Sequence, residues 1–113
     1  METPLSQTEQ SMLTRVIMAA MRDLQGQRLS LPMVSAAVIA NTMYQVEILN
    51  YPAVDFSYNV VFVLRTREWT LNIPAVMNMR TVKTDLGFEH SRLEKGEHSQ
   101  LKHDLTLAAM FLE

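Results

Sequence analysis

The sequence predicts an α+β fold with two N-terminal helices, an antiparallel hairpin or three-stranded sheet, and a C-terminal helix. Apolar residues recur at spacings of three and four near both ends of the chain, which is typical of helices that bury one side. From residue 55 the spacing changes to two, as in a strand. No linker rich in proline, serine or glycine divides the 113 residues, so we expect one domain over 1–113.

The first helix is predicted to begin near Gln7. Ser6 and Glu9 have the spacing of a capping box, in which each side chain accepts a hydrogen bond from an otherwise unpaired backbone N–H. Gly26 is a typical helix end. The intervening residues form one apolar stripe, made of Leu13, Val16, Ile17, Ala20, Met21 and Leu24.

The second helix is predicted from Ser30 to Asn50. Pro32 is tolerated in the first turn of a helix, and Tyr51 and Pro52 would end it. Its apolar residues lie on more than one side, which indicates a central position in the core or an oligomer interface. These residues are Val34, Ala37, Val38, Ile39, Met43, Tyr44, Val46 and Leu49.

The central segment is predicted to form an antiparallel hairpin. One strand has an alternating face made of Phe56, Tyr58, Val60, Phe62 and Leu64, with Val61 and Val63 on the other face. The alternation resumes at Trp69, Leu71 and Ile73 after a four-residue tip, Arg65 to Glu68. After Pro74, the run Val76, Met77, Met79 and Val82 favours a third strand over a short helix. A closing helix is predicted from about Ser99, with Leu101, Leu105, Ala108 and Leu112 on one face.

Composition excludes several classes of site. The formal net charge of −2 argues against nucleic-acid binding driven by total charge. The absence of cysteine removes disulfides, thiol nucleophiles and thiolate metal sites, and it favours an intracellular setting. The first ten residues lack the basic and apolar regions of a secretory signal. We therefore expect a cytoplasmic protein with no membrane segment.

No strong catalytic or phosphate-binding motif is present, so we expect a protein that is not an enzyme and has no cofactor or metal. One weaker alternative is a small hydrolase or metal enzyme. In a continuous helix His90, Glu94 and His98 would share one face, with His103 nearby. Gly96 and the surrounding charges instead indicate an exposed charged segment.

Methionine is the most suggestive feature, with 9 residues in the chain. Its flexible thioether suits adaptable binding surfaces as well as irregular cores. Met12 and Met18 lie near the margins of the first helical stripe, and Met43 and Tyr44 lie on the predicted second helix. We therefore expect a small protein–protein interaction module that binds a protein partner as an adaptor, accessory protein or inhibitor, and that forms homo-oligomers.

Nucleic-acid binding at the hairpin tip is the alternative function. If the strand continues through the tip, Arg65, Arg67 and Trp69 lie on one face and combine cations with a stacking surface. Arg80 and Lys83 would extend this patch. The competing interpretation is that the arginines only solubilise a turn while Trp69 packs beneath the helices.

Overall fold

A computed structural model describes residues 2–24, 30–51, 58–78 and 84–112, except for the side chains of residues 2 and 3. The N-terminal part contains strand β1 (Glu2–Pro4), helix α1 (Gln7–Ala20) and a 3-10 turn (Arg22–Leu24). Five strands follow: β2 (Met33–Ile39), β3 (Thr42–Asn50), β4 (Val60–Arg65), β5 (Thr70–Met77) and β6 (Thr84–Leu86). A second 3-10 turn (Phe88–His90), strand β7 (Arg92–Glu94) and helix α2 (Lys95–Ala108) complete the described elements.

The beginning of α1 confirms the predicted capping box. The Glu9 backbone N–H donates to Ser6 Oγ at 3.1 Å, and the Ser6 N–H donates to Glu9 Oε1 at 2.7 Å. The helix ends at Ala20, earlier than the apolar stripe predicted, and the chain turns through a short 3-10 segment. Gly26 lies outside the described residues.

The predicted second helix is wrong, because residues 33–50 form the antiparallel hairpin β2–β3. The two-residue turn is Ala40–Asn41, and both residues have positive φ angles, 51° and 66°. Such angles match the right-handed twist of the paired strands. In the strand geometry Tyr44, Val46 and Ile48 are buried on one face. The apolar residues that were assigned to more than one side of a helix therefore lie on the two faces of a sheet.

The central hairpin is confirmed for its described residues, but its four-residue tip begins at Thr66 and not at Arg65, because Arg65 is the last residue of β4. Strands β4 and β5 pair antiparallel and are joined by the four residues Thr66 to Trp69. The Thr66 N–H donates to the Trp69 carbonyl at 2.9 Å, and Thr66 Oγ1 accepts from the N–H groups of Glu68 and Trp69. Phe56 lies outside the described residues.

The end of the sheet differs from the prediction in its boundaries. Strand β5 continues through Pro74 to Met77, so Val76 and Met77 belong to the hairpin and not to a separate strand. The next strand is the short β6, and the predicted residues Met79 and Val82 lie outside the described part. Helix α2 begins at Lys95, earlier than Ser99.

The five strands form one antiparallel sheet in the order β2-β3-β4-β5-β6, and β1 pairs with β7 in a separate two-stranded sheet. Both helices pack on one face of the larger sheet, which we call the inner face. Among the described residues, no helix has the length and apolar character needed to cross a membrane. The inner face consists of Met33, Ser35, Ala37, Ile39, Thr42, Tyr44, Val46, Ile48, Asn50, Val60, Phe62, Leu64, Leu71, Ile73, Ala75, Met77, Thr84 and Leu86.

Candidate interaction surface

The opposite face of the large sheet, which we call the outer face, carries many apolar side chains although both helices pack on the inner face. Val38 is 65% exposed, Met43 59%, Val34 51% and Val76 41%. A solvated face of an antiparallel sheet is usually polar. The outer face consists of Val34, Ala36, Val38, Met43, Gln45, Glu47, Leu49, Val61, Val63, Arg65, Thr70, Asn72, Pro74, Val76 and Asp85.

The strand register places these apolar residues in two bands, each of which is continuous across neighbouring strands. The first band follows β2 through Val34, Ala36 and Val38, and the pairing of Val38 with Met43 extends it onto β3. The second band crosses the sheet, because Leu49 pairs with Val61 and Val61 pairs with Pro74. Within these bands Leu49 and Val61 are half-buried, whereas Pro74 is buried.

The centre between the two bands carries several polar side chains around the buried Val63. Arg65 Nη2 and Glu47 Oε1 are 3.3 Å apart in an exposed ion pair between neighbouring strands. Gln45 lies beside Arg65 in the register, and Thr70 and Asn72 lie on β5. An exposed pair of this kind contributes little to stability.

The four residues predicted to bind a partner occupy different surfaces. Met43 is exposed on the outer face, whereas Met18 is exposed on α1, on the opposite side of the sheet. Met12 is half-buried in a groove between the helices. Tyr44 is completely buried on the inner face, so its prediction as a surface residue is wrong. Strand alternation separates it from its neighbour Met43.

The proposed nucleic-acid patch does not come together as predicted. Trp69 is buried against Tyr44, with ring centroids 6.1 Å apart, whereas Arg65 projects from the outer face. The prediction that Arg65, Arg67 and Trp69 share one exposed face is therefore wrong, because the chain turns between them. Arg67 is exposed in the turn, and Arg80 and Lys83 lie outside the described residues.

Trp69 belongs to a buried polar cluster where the sheet meets α2. Its Nε1–H donates to Asp104 Oδ2 at 2.9 Å, and Gln100 Nε2 donates to Asp104 Oδ1 at 3.0 Å. Burial and the nearby Asp104 charge raise the pKa of Tyr44 to about 12. Among the described residues, the Tyr44 hydroxyl has no hydrogen-bond partner. This cluster fixes the hairpin tip to the helix, and it leaves no indole face free for a ligand.

A groove of about 400 Å³ lies between the two helices. At one side His98 Nε2 and Glu9 Oε2 are 2.7 Å apart, and both side chains are buried. Burial on its own raises the pKa of Glu9, but hydrogen bonds from Ser6 and His98 outweigh it and hold that pKa below its usual value of 4.5. The carboxylate is thus already used to cap α1 and to join it to α2. The lining residues are Ser6, Thr8, Glu9, Met12, Lys102, Leu105, Thr106 and Ala109.

The residues of the hypothetical metal or hydrolase site do not share a helix face. His90 lies in the second 3-10 turn, Glu94 in β7 and His98 in α2. The described residues contain no group of three or more histidine and carboxylate side chains that could hold a metal ion. His98 instead pairs with Glu9, which is distant in the sequence and carries no local signal of this contact.

The outer face was missed because it depends on the β2–β3 hairpin. Val34 and Val38 are separated by four residues, a spacing that is compatible with one face of a helix and one face of a strand. The alternation of Tyr44, Val46 and Ile48 was the available signal for a strand. Alternation alone would still have placed Val34 and Val38 on the side of Tyr44, because only the two-residue turn Ala40–Asn41 brings Val38 onto the same face as Met43.

The chain matches no protein-family model, and no curated protein or solved structure is significantly similar to it. Its function is therefore inferred from its own residues and geometry.

Proposed function

We infer that this chain is a small protein–protein interaction module that binds a protein partner through the outer face and acts by binding, not by catalysis. The observation that carries this proposal is the exposure of Val34, Val38, Met43 and Val76 on a sheet face that packs against neither helix. Exposed apolar residues grouped on one face mark interaction sites more often than they mark inert surface. An adaptor, an accessory protein and an inhibitor all use such a surface, and the cysteine-free composition favours a cytoplasmic setting.

The chemistry of the outer face indicates which surface features the partner needs. Covering the four exposed apolar side chains contributes on the order of 1 kcal/mol each, since they are already partly buried. That gain is too small to offset the cost of association. The partner must therefore also cover the half-buried Leu49 and Val61 and approach the Arg65–Glu47 pair. A partner with an apolar surface around one hydrogen-bonding group fits this arrangement.

Nucleic-acid binding has less support than protein binding. Its stacking residue Trp69 is buried, and Arg65 is paired with Glu47. Of the tip residues, Arg67 remains exposed in the turn. Because Arg65 is exposed but paired with Glu47, one exposed arginine outside that ion pair together with the overall negative charge gives a weak basis for phosphate binding.

The proposal is tested with a charged variant of the outer face and a matched control. The face variant is Met43→Lys/Val76→Lys, which places a lysine near each end of the outer face without changing a residue of β2. The control is Thr14→Lys/His103→Lys, which adds the same charge at exposed positions of α1 and α2. Each protein is used as bait in cells, and retained proteins are identified by mass spectrometry.

We expect one specific protein to be retained by the parent chain and by the control, but to be lost from the face variant. Binding of that protein, purified, is then measured by calorimetry. Retention of the same proteins by the parent and the face variant would contradict the proposal. Circular dichroism of all three chains excludes unfolding as the cause of any loss.

A further inference from the structure

Strand β2 has one free edge. It lies at the end of the sheet order, and among the described strands it pairs only with β3. Among the described residues, its backbone makes no hydrogen bond outside that ladder. The edge is seven residues long, whereas the strand at the opposite end of the sheet, β6, has three. A long unpaired edge is a template for pairing with another strand.

The turn determines which backbone groups point outward. In a two-residue hairpin the residues that flank the turn, here Ile39 and Thr42, form a hydrogen-bonded pair. Because hydrogen-bonded and non-bonded pairs alternate in an antiparallel ladder, Val34, Ala36 and Val38 direct their N–H and C=O groups away from β3. Three consecutive outward positions are therefore available for a second strand.

The sequence of β2, MVSAAVI, is close to symmetric about Ala36. With Ala36 opposite its own copy in an antiparallel pair, Val34 faces Val38 of the second copy, and Ser35 faces Ala37. Val34, Ala36 and Val38 are all hydrogen-bonded positions in this register, so about six backbone hydrogen bonds form. Each outward-facing residue thus meets its own type or a small apolar residue, and no side chain in the strand meets a like charge.

The strand lacks the features that normally protect an edge. It contains no lysine, no other charged residue and no proline between residues 33 and 39. An exposed apolar residue, Phe111, lines a cavity of about 250 Å³ with Val38 and Ile39 at one end of the strand. In the symmetric pair, Met33 of the second copy arrives opposite Ile39, beside this apolar end. The end of the strand is therefore also suited to an apolar contact.

We propose that β2 pairs antiparallel with β2 of a second copy, so that two five-stranded sheets join into one continuous sheet in a symmetric dimer. This inference goes beyond the proposed function, because it concerns the strand edge and not the apolar face. Its consequence is that the two outer faces lie side by side and offer one larger surface. Two-fold symmetry is the commonest arrangement of homodimers, and here it follows from the strand's own sequence.

Because Ala36 lies on the two-fold axis of the proposed dimer, a charge introduced at this position meets its own copy, and variants of opposite charge can then be mixed. In Ala36→Lys or Ala36→Glu the new side chain projects from the exposed outer face of the monomer, where Ala36 is already exposed, so the fold is retained. In the dimer two like charges stand opposite each other. Sedimentation velocity of each purified chain is measured from micromolar to submillimolar concentration. Asp85→Lys, on the opposite edge strand β6, is the control.

We expect the parent and Asp85→Lys to form dimers as their concentration rises. The dimer dissociation constant of each Ala36 variant should be at least about tenfold higher. An equimolar mixture of Ala36→Lys and Ala36→Glu should regain the dimer, because opposite charges then meet at the axis. A monomeric parent overturns the inference, and so does a dimer that the Ala36 variants leave unchanged. A mixture that remains monomeric also overturns it.

A second variant tests the backbone pairing independently of charge. Ala36→Pro removes the outward N–H, which β3 does not use, and proline is tolerated at such edge positions. We expect loss of the dimer with a retained circular dichroism spectrum, whereas an intact dimer would overturn the inference. Because Met43 and Val76 lie outside β2, failure of the edge pairing and failure of partner binding at the outer face are observed separately.

Discussion

The two faces of the five-stranded sheet carry the same kinds of aliphatic side chain but have different surroundings. On the inner face Leu64, Val46 and Ile48 are fully buried beneath the helices. On the outer face Val38 and Met43 remain more than half exposed. The inner residues are apolar because their burial against the helices stabilises the fold. Within the described part of the chain neither helix covers Val38 or Met43, and their exposure is the basis of the proposed partner surface.

The largest effect on stability is expected when a leucine on the inner face is replaced by alanine, and the same replacement on the outer face is the comparison. Leu64→Ala removes a fully buried side chain and should lower the free energy of unfolding by about 2–5 kcal/mol, because it leaves a cavity. Leu49→Ala, on the half-buried outer face, should lower it by less than about 1 kcal/mol. Urea denaturation of both variants measures the difference. Equal losses would mean that the outer face is packed as tightly as the inner one.

The next test concerns the polar cluster that anchors the hairpin tip. Trp69→Phe keeps an aromatic ring but removes the donor to Asp104, which leaves a buried carboxylate oxygen without that bond. We expect a loss of about 1–3 kcal/mol in the free energy of unfolding. Arg67→Ala, in the exposed part of the same turn, is the control and should change it by less than about 0.5 kcal/mol. A tolerated Trp69→Phe would show that the tip is not held by this bond.

A smaller effect is expected at Glu9, which connects the two helices on the inner side. Its pKa is lowered in the folded chain, so the stability it contributes is present above its unfolded value of 4.5 and is lost as pH falls through the lower folded value. Glu9→Gln should cost about 1–2 kcal/mol at neutral pH.

The measurement for Glu9 is the free energy of unfolding of both chains between pH 7 and pH 3. The difference between them should shrink on acidification, because the parent carboxylate becomes neutral. A difference that stays constant with pH would show that the charge of Glu9 does not contribute. Ser6→Ala, which removes the other half of the capping box, should instead give a loss of about 1 kcal/mol with weak pH dependence.

The smallest stability effect is expected for the outer-face variant Met43→Lys/Val76→Lys. Both positions are exposed, and Val76 pairs with Asp85 across the strands, so the new lysine there meets an opposite charge. The free energy of unfolding should change by less than about 0.5 kcal/mol. Thermal denaturation followed by circular dichroism measures this. A loss comparable with that of Leu64→Ala would assign these residues to the fold and not to a partner.

The parts of this fold that were predictable from sequence are those with local signals. The Ser6–Glu9 capping box marked the start of α1, and the alternation from Val60 to Leu64 marked β4. The hairpin β2–β3 lacked such a signal, because its turn is Ala40–Asn41 with no glycine. The alanines before and within the turn, Ala36, Ala37 and Ala40, also favour a helix.

The candidate surface was less predictable than the fold, because it depends on contacts distant in sequence. Met43 was identified from composition, but its neighbours on the outer face come from four other strands. The alternation with Leu71 and Ile73 placed Trp69 on the buried side, but its hydrogen-bond partner Asp104 lies 35 residues further along the chain. Nothing in the local sequence of either residue indicates this contact.

Site-specific photo-crosslinking tests the central claim most directly. A benzoylphenylalanine replaces Met43 on the outer face or, as the control, Thr14 on the exposed side of α1, and each chain is irradiated in cells. We expect the chain with the crosslinker at position 43 to form a covalent adduct with another protein, and the chain with it at position 14 to form none. Absence of an adduct at position 43, or equal adducts at both positions, would contradict the assignment of the outer face as the interaction surface.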